Sequence, residues 1–414
     1  MTISNLTEFI IGAFLFSGMM MMLVLLVLFA RKLLLMSGVA NLTINQSQII
    51  NVSVGQKLAS ALAENGIYLT AACGGKGTCG QCLVKVTLGN EPLSPIESGH
   101  ISLRQASQGF RLACMFKIKG DLSLQIPQDL IAKKRFQCRV VSNQLVSTYM
   151  TQLVLEPMEN ERLEFQAGDY ILLEAQPSLV SFNNFSIPTE YLPEWKKFGL
   201  LDLKMEITES QVRAYSLANS PSKSRVIELL VRIATPPANT SIETPPGLVS
   251  SYIFNLKSDD RVSIIGPYGE FHSRENENEM LFIGGGAGMA PLRAIIRDQL
   301  ITVKSNRQIS FWYGARNKQQ LCYQSEFDQL MQQHDNFKWW VALSEPLKSD
   351  HWSGHIGFIH QVVLQKYLSA HPSPQKIDYY VCGPAVMSAA VITMLKGVGV
   401  TSESIFIDDF SGIG

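Results

Sequence analysis

Cys73-Gly74-Gly75-Lys76-Gly77-Thr78-Cys79-Gly80-Gln81-Cys82 is the stretch on which the reading of this chain turns. Three thiols stand in the pattern Cys-x5-Cys-x2-Cys, and a fourth, Cys114, follows far downstream. Gly74, Gly75, Gly77 and Gly80 let the backbone wrap closely and aim amides at sulfur. Three thiolates on such a loop plus one distant thiolate suit a two-iron cluster, at a spacing one residue longer than the plant-type loop. Structural zinc is the rival, but zinc sites usually come as two short pairs rather than three plus one. The pattern predicts a [2Fe-2S] centre held by Cys73, Cys79, Cys82 and Cys114. The remaining cysteines, Cys138, Cys322 and Cys382, are isolated, and an isolated cysteine is most often a small buried hydrophobe.

Around this loop the pattern is that of a small β-rich domain. LTIN and IINVSV alternate as strands do, Leu58 to Glu64 has helical periodicity and stops at Asn65-Gly66, and LVKVTL and LSLQIP read as further strands. This domain is assigned to residues 36–130, and the basic stretch Ala132-Lys133-Lys134-Arg135 reads as a linker.

Further upstream, Phe9 to Ala30 runs without a charge, long enough to cross a hydrocarbon core of about 30 Å as a helix. A cleaved leader would need a basic start and a shorter apolar run, so residues 1–35 read as a transmembrane anchor. Arg31 and Lys32 follow directly, which places the N-terminus outside and everything downstream in the cytoplasm. The chain has 414 residues, enough for about three domains, and its 35 basic residues balance 35 acidic ones. That balance argues against nucleic acid as a partner.

Downstream of the linker, residues 131–273 carry CRVVS, TQLVLEP, DYILLEA, VIELLVRI and RVSIIG between glycines and prolines, as in an antiparallel barrel. A single short helix is expected there, near Val249 to Asn255, and Ser178 to Glu209 reads as an irregular, solvated insertion. Arg213-Ala214-Tyr215-Ser216 ends a strand with a guanidinium for a pyrophosphate, a flat ring for a flavin and a hydroxyl for a flavin nitrogen. Pro246-Gly247-Leu248-Val249-Ser250-Ser251-Tyr252 reads as a glycine turn opening a helix, whose free amides favour an anion. Two phosphate-seeking elements in one barrel point to a dinucleotide flavin.

Over residues 274–414 strands alternate with helical patterns, which argues for a parallel sheet covered by helices. Phe282-Ile283-Gly284-Gly285-Gly286-Ala287-Gly288 runs from a strand through glycines toward a helix, although it lacks the strict G-x-G-x-x-G spacing. Cys382-Gly383-Pro384 again ends a strand ahead of a helix, at the edge where ligands of open α/β sheets collect. Arg316, after ISFWYGA, suits either a ribose or a 2′-phosphate and leaves NADH against NADPH open.

The order CGGKGTCGQC, RAYS, PPGLVSSY, GGGAGMAP, CGP and a terminal DDF behind one anchor resembles the F subunit of the sodium-translocating NADH:quinone reductases over essentially the whole chain. The flavin and nucleotide domains alone resemble the wider ferredoxin-NADP reductase group. The resemblance implies a β-grasp [2Fe-2S] domain, an FAD barrel and an NAD domain. It implies hydride transfer from NADH to FAD, single-electron transfer to the cluster, and delivery to membrane subunits of a bacterial inner-membrane complex that reduce ubiquinone and export Na⁺. It makes Arg213, Tyr215, Ser216, Gly247, Ser250 and Ser251 FAD contacts, and turns Gly286, Gly288, Cys382 and Gly383 toward the nicotinamide nucleotide. Ser216, Cys382 and Phe410 are the expected catalytic positions, Phe410 as an aromatic cover over the flavin. Lys76 departs from the family pattern, where another glycine is expected, and so does the tail after Phe410. A tethered reductase feeding an oxygenase and a non-enzymatic electron carrier share parts of the same pattern.

Overall fold

The computed structural model describes residues 15–26, 38–67, 69, 75, 77–78, 80–126, 134–159, 161–221, 225–236 and 245–409, in two compact units. One comprises residues 1–69 and 82–131, the other residues 70–81 and 132–414. Residues 15–26 form an exposed helix, α1. Among the described residues no helix is long and apolar enough to cross a membrane, and the remainder of the Phe9 to Ala30 run lies outside them.

In the first unit, alternation becomes a mixed five-stranded sheet. β1 (Val39–Ile44), β2 (Gln48–Ser53), β3 (Leu83–Leu88), β4 (Phe110–Leu112) and β5 (Leu122–Gln125) stand in the order β2-β1-β5-β3-β4. Ala40, Leu42 and Ile44 of β1 face inward at period two. Helix α2 (Leu58–Glu64) buries Leu58, Ala61 and Leu62, the i, i+3, i+4 set of one helical face. It ends where expected, because Gly66 takes a left-handed φ of 78° that a side chain would strain. A short helix, α3 (Leu103–Ser107), starts from a Ser102–Gln105 capping box.

The second unit contains an antiparallel six-stranded sheet in the order β11-β8-β13-β6-β7-β12, from β6 (Arg135–Ser147), β7 (Met150–Pro157), β8 (Tyr170–Ala175), β11 (Gln211–Ser216), β12 (Ile227–Arg232) and β13 (Arg261–Tyr268). The Leu217↔Leu229 bridge joins its two edges and closes the barrel. The expected linker ends early: Arg135 is the first residue of β6 and pairs with Glu174, while Lys134 pairs with Glu161.

The insertion differs from its sequence reading. Ser178 to Glu209 contains a two-stranded sheet of β9 (Ser178–Ser181) and β10 (Lys204–Ile207) and a helix, α4 (Leu192–Lys197), so α5 (Leu248–Asn255) is not the barrel's single helix. Trp195 is fully buried among Phe182, Phe185 and Phe254. The apolar residues here are spaced irregularly because three short elements share one core with the barrel, and that hides them from any single period.

A parallel six-stranded sheet follows, with β14 (Glu279–Gly285), β15 (Ile309–Ala315), β16 (Phe337–Leu343), β17 (His355–Ile356), β18 (Ile377–Gly383) and β19 (Ile405–Asp409) in the order β17-β16-β15-β14-β18-β19. Its strands are near-continuous apolar runs, as burial on both faces requires. Helices α6 (Met289–Arg297), α7 (Gln324–Gln333), α8 (Ile359–Lys366) and α9 (Ala385–Gly397) cover it. From β14 the strand order runs one way through β15 and the other way through β18, so the topological switch point lies between β14 and β18. One core cluster joins Met150, Ala218 and Leu230 of the barrel to Met280 and Phe282 of this sheet and Met289 of α6.

Candidate active site

A cavity of about 950 Å³ opens over that switch point, lined on one side by Tyr215, Ser216 and Arg232 of the barrel and on the other by Gly285, Gly286, Gly288 and Gly383. Its volume lies in the range of nucleotide-sized sites. The glycines are needed for shape. A Cβ on Gly288 would stand 2.1 Å from the Cys382 carbonyl, and one on Gly383 only 2.5 Å from the Met387 methyl. Gly286 has a left-handed φ of 56° and nothing within 4 Å of where its Cβ would be, so the loop turns an open backbone surface upward. From beneath, the Tyr313 hydroxyl donates to the Gly286 carbonyl at 3.0 Å.

Across the cavity, Ser216 Oγ donates to Asp408 Oδ2 at 3.0 Å. The β18–β19 register sets Asp408 beside Cys382, so three chain-distant positions meet at one corner. Tyr215 is half-buried at the rim. Burial pushes its phenol well above the ordinary range, with Arg213 pulling the other way, so the ring stays neutral. Arg232 opens onto the cavity with Tyr149 under its guanidinium at 5.5 Å, and the crowding of protein around it lowers its pKa. Arg316 lies at the far end, 3.6 Å from the Glu345 carboxylate.

Other expected residues lie elsewhere. Cys382 is fully buried below the loop, and its neighbour Gly383 is the residue that meets the cavity. Arg213 is buried and donates to the Val212 carbonyl at 2.7 Å. Gly247, Ser250 and Ser251 form a closed turn: Ser250 Oγ accepts from the Ala234 amide at 3.2 Å, and the Ser251 hydroxyl donates to the Gly247 carbonyl at 2.7 Å. These two hydroxyls hold the turn, so an anion there would be met by the amides that open α5, which has no side-chain cap. Phe410 lies outside the described residues.

In the first unit, antiparallel β3–β4 pairing continues past Leu83↔Leu112, with the Ala113 amide donating to the Cys82 carbonyl at 2.9 Å. Cys82 and the residue next to Cys114 are thereby neighbours, and both thiols are 1% exposed. The first amides of α2 brace the same segment, Ala59 N to Ala113 O at 3.0 Å and Leu58 N to Phe116 O at 2.9 Å. Gly75, Gly77 and Gly80, which fall in the second unit, have left-handed φ values of 86°, 81° and 69° that favour glycine. Cys73, Cys79 and Lys76 lie outside the described residues.

Three family models match the chain: a 2Fe-2S iron-sulfur cluster binding domain over residues 42–119, an oxidoreductase FAD-binding domain over 197–273 and an oxidoreductase NAD-binding domain over 282–392. The F subunit of the Na(+)-translocating NADH-quinone reductase of Haemophilus ducreyi is 46% identical over 407 residues, covering 98% of this chain and 99% of that one. Its counterpart in Yersinia pestis is 44% identical, covering 98% and 100%. The chain belongs to the family of F subunits of Na(+)-translocating NADH-quinone reductases. Among solved structures, an Amycolatopsis cytochrome P450 reductase matches with a TM-score of 0.61 at 23% identity, covering 90% of this chain and 98% of that one. The ferredoxin reductase of a carbazole 1,9a-dioxygenase matches with a TM-score of 0.60, also at 23% identity, over 90% and 98% of the two chains. These two show a shared fold.

As a member of that family, the chain has residues suited to each group its domains imply. The glycine cradle, the ring and hydroxyl of Tyr215 and Ser216, and the basic Arg232 suit a flavin and a dinucleotide, and the buried thiols of Cys82 and Cys114 suit iron. Sequence reasoning missed Arg232 and Asp408. Arg232 closes a strand like any solvated arginine, and Asp408 gains meaning only from β19 pairing beside Cys382.

Proposed function

We propose that this chain is the electron-input subunit of a membrane Na⁺-translocating NADH:ubiquinone reductase, taking hydride from NADH on FAD and passing electrons through a [2Fe-2S] cluster to partner subunits. The observation that carries this reading is the cavity that sets Tyr215 and Ser216 against the glycine loop at the sheet's switch point. Bound FAD supplies a two-electron acceptor that can release electrons singly, and the cluster a one-electron relay.

The chain's own residues bind and orient. Tyr215 offers its ring to the flavin and Ser216 its hydroxyl oxygen, whose direction Asp408 fixes by accepting the hydroxyl's hydrogen bond. Gly286 and Gly288 let the nucleotide backbone approach closely, and Arg232 offers a cation to its phosphates. Arg213 and the Gly247 turn serve the flavin's own phosphates. Cys382 supports the loop from below, and Phe410, immediately after β19, covers the flavin. Cys73, Cys79, Cys82 and Cys114 ligate the cluster. Phe9 to Ala30 anchors the chain in the bacterial inner membrane, with the N-terminus outside and the domains in the cytoplasm beside the other subunits.

Anaerobic addition of NADH to the purified, FAD-loaded chain is expected to bleach the flavin absorbance; a flavin that stays oxidised sinks the reading. Purification from membranes through a tag on this chain is expected to bring polytopic subunits with Na⁺-stimulated NADH:quinone activity, and an oxygenase partner would overturn that part.

A further inference from the structure

We infer that the barrel's insertion, through Trp195, is a positioning element for the nicotinamide nucleotide: it fixes the tip of the β6–β7 hairpin, and the tip fixes two walls of the cavity. This rests on the reading of that cavity as the NADH site. Trp195 is fully buried, and its Nε1 donates to the Thr148 carbonyl at 2.7 Å. Thr148 in turn gives both its donors to one acceptor across the domain boundary, its amide and its Oγ1 each reaching the Gln319 carbonyl at 3.0 Å. Gln319 precedes Gln320, which lines the cavity.

The second arm runs through Tyr149. Its ring lies 6.2 Å from that of Trp195 and 5.5 Å from the Arg232 guanidinium, and its carbonyl accepts from the Ile233 amide at 3.0 Å. Trp195 thus braces both the cation on one wall and the loop on the other. A structure that merely completed the barrel core would not need a tip with two donors committed to the nucleotide domain. Trp195, Thr148 and Tyr149 do not themselves line the cavity, so the insertion should govern nucleotide affinity and leave the rate at saturation alone.

The test uses the full chain loaded with FAD and cluster. Calorimetric titration with NAD⁺ and stopped-flow flavin reduction by NADH are compared for wild type, Thr148→Val, Thr148→Ser and Trp195→Phe. Thr148→Val keeps the shape and removes one donor, so nucleotide affinity should fall about fivefold, and Thr148→Ser should restore it. Trp195→Phe leaves the Thr148 carbonyl buried without its donor, for a loss of about tenfold. The limiting reduction rate and FAD content should stay within about twofold of wild type, well inside the effect of one lost hydrogen bond. Unchanged affinity in both Thr148→Val and Trp195→Phe overturns the inference, and so does a loss in which FAD content falls in step. Wild-type flavin that NADH fails to reduce sinks the dehydrogenase reading instead, which the variants' affinities for NAD⁺ keep separate.

Discussion

The ferredoxin-type unit and the reductase unit hold redox groups with opposite materials. In the first, the sheet register and the amides of α2 set side by side the segments that carry the sulfurs of Cys82 and Cys114. In the second, side chains are cleared away and the backbone itself is presented, at Gly286, Gly288 and Gly383. A thiolate ligand has no substitute, whereas a backbone surface can shift by tenths of an ångström. Damage should therefore be all-or-none in the first unit and graded in the second.

The largest effect is expected for Cys114→Ala, which removes a sulfur that no neighbour replaces. The electron-paramagnetic signal of the reduced cluster should vanish while NADH still bleaches the flavin. A surviving cluster signal breaks the comparison at its first term. Gly288→Val comes next. Its Cβ would lie 2.1 Å from the Cys382 carbonyl, a backbone atom that cannot swing aside, so the loop must move. A displacement of about 1 Å can cost roughly a hundredfold in rate, and flavin reduction by NADH should fall by about that much with cluster content intact.

Alkaline pH sharpens the contrast further. Burial raises the phenols of Tyr215, Tyr323 and Tyr379 and pushes Tyr149 up to about 12, all in the reductase unit. An unfolded phenol ionises near pH 10, where these folded ones stay protonated. Above that pH the unfolded state holds fewer protons than the folded one, so stability is full below about 10 and falls as pH rises beyond it. The ferredoxin-type unit has a single tyrosine, Tyr68. In thermal melts from pH 9 to 11, flavin release should move to lower temperature while loss of cluster absorbance moves less. Parallel shifts would show that the buried phenols are not the cause.

How far the sequence can be read follows the same division. Cysteine spacing and the glycine runs are local, so α2, β3 and the strand-to-loop signature at Gly284 to Gly288 are legible to within a residue or two. What involves pairing across long separations is not. Asp408 acquires its role from lying beside Cys382 and within reach of Ser216, 192 residues away. Trp195 reads as part of a solvated loop because its partners come from Thr148, Phe182 and Phe254, and no period links them. The serines after Gly247 escape a decision for the opposite reason: a hydroxyl beside a helix start serves a phosphate or its own turn equally well, and residue type alone does not decide.

That ambiguity gives the smallest and most discriminating prediction, Ser251→Ala. The Ser251 side chain is fully buried, and its hydroxyl donates to the Gly247 carbonyl, which also accepts from the Ser251 amide at 3.1 Å and from Ser250 Oγ at 3.2 Å. Removing one of three donors leaves the carbonyl satisfied, so the loss should stay near 1 kcal/mol, about the net worth of a single hydrogen bond. In a unit of this size that lowers the melting temperature by about 2 °C. FAD stoichiometry should match wild type, because the amides opening α5 remain in place to meet an anion. Substoichiometric FAD in a variant that melts normally would make Ser251 a cofactor contact. The reductase unit would then depend on a side chain as strictly as the ferredoxin-type unit depends on its sulfurs.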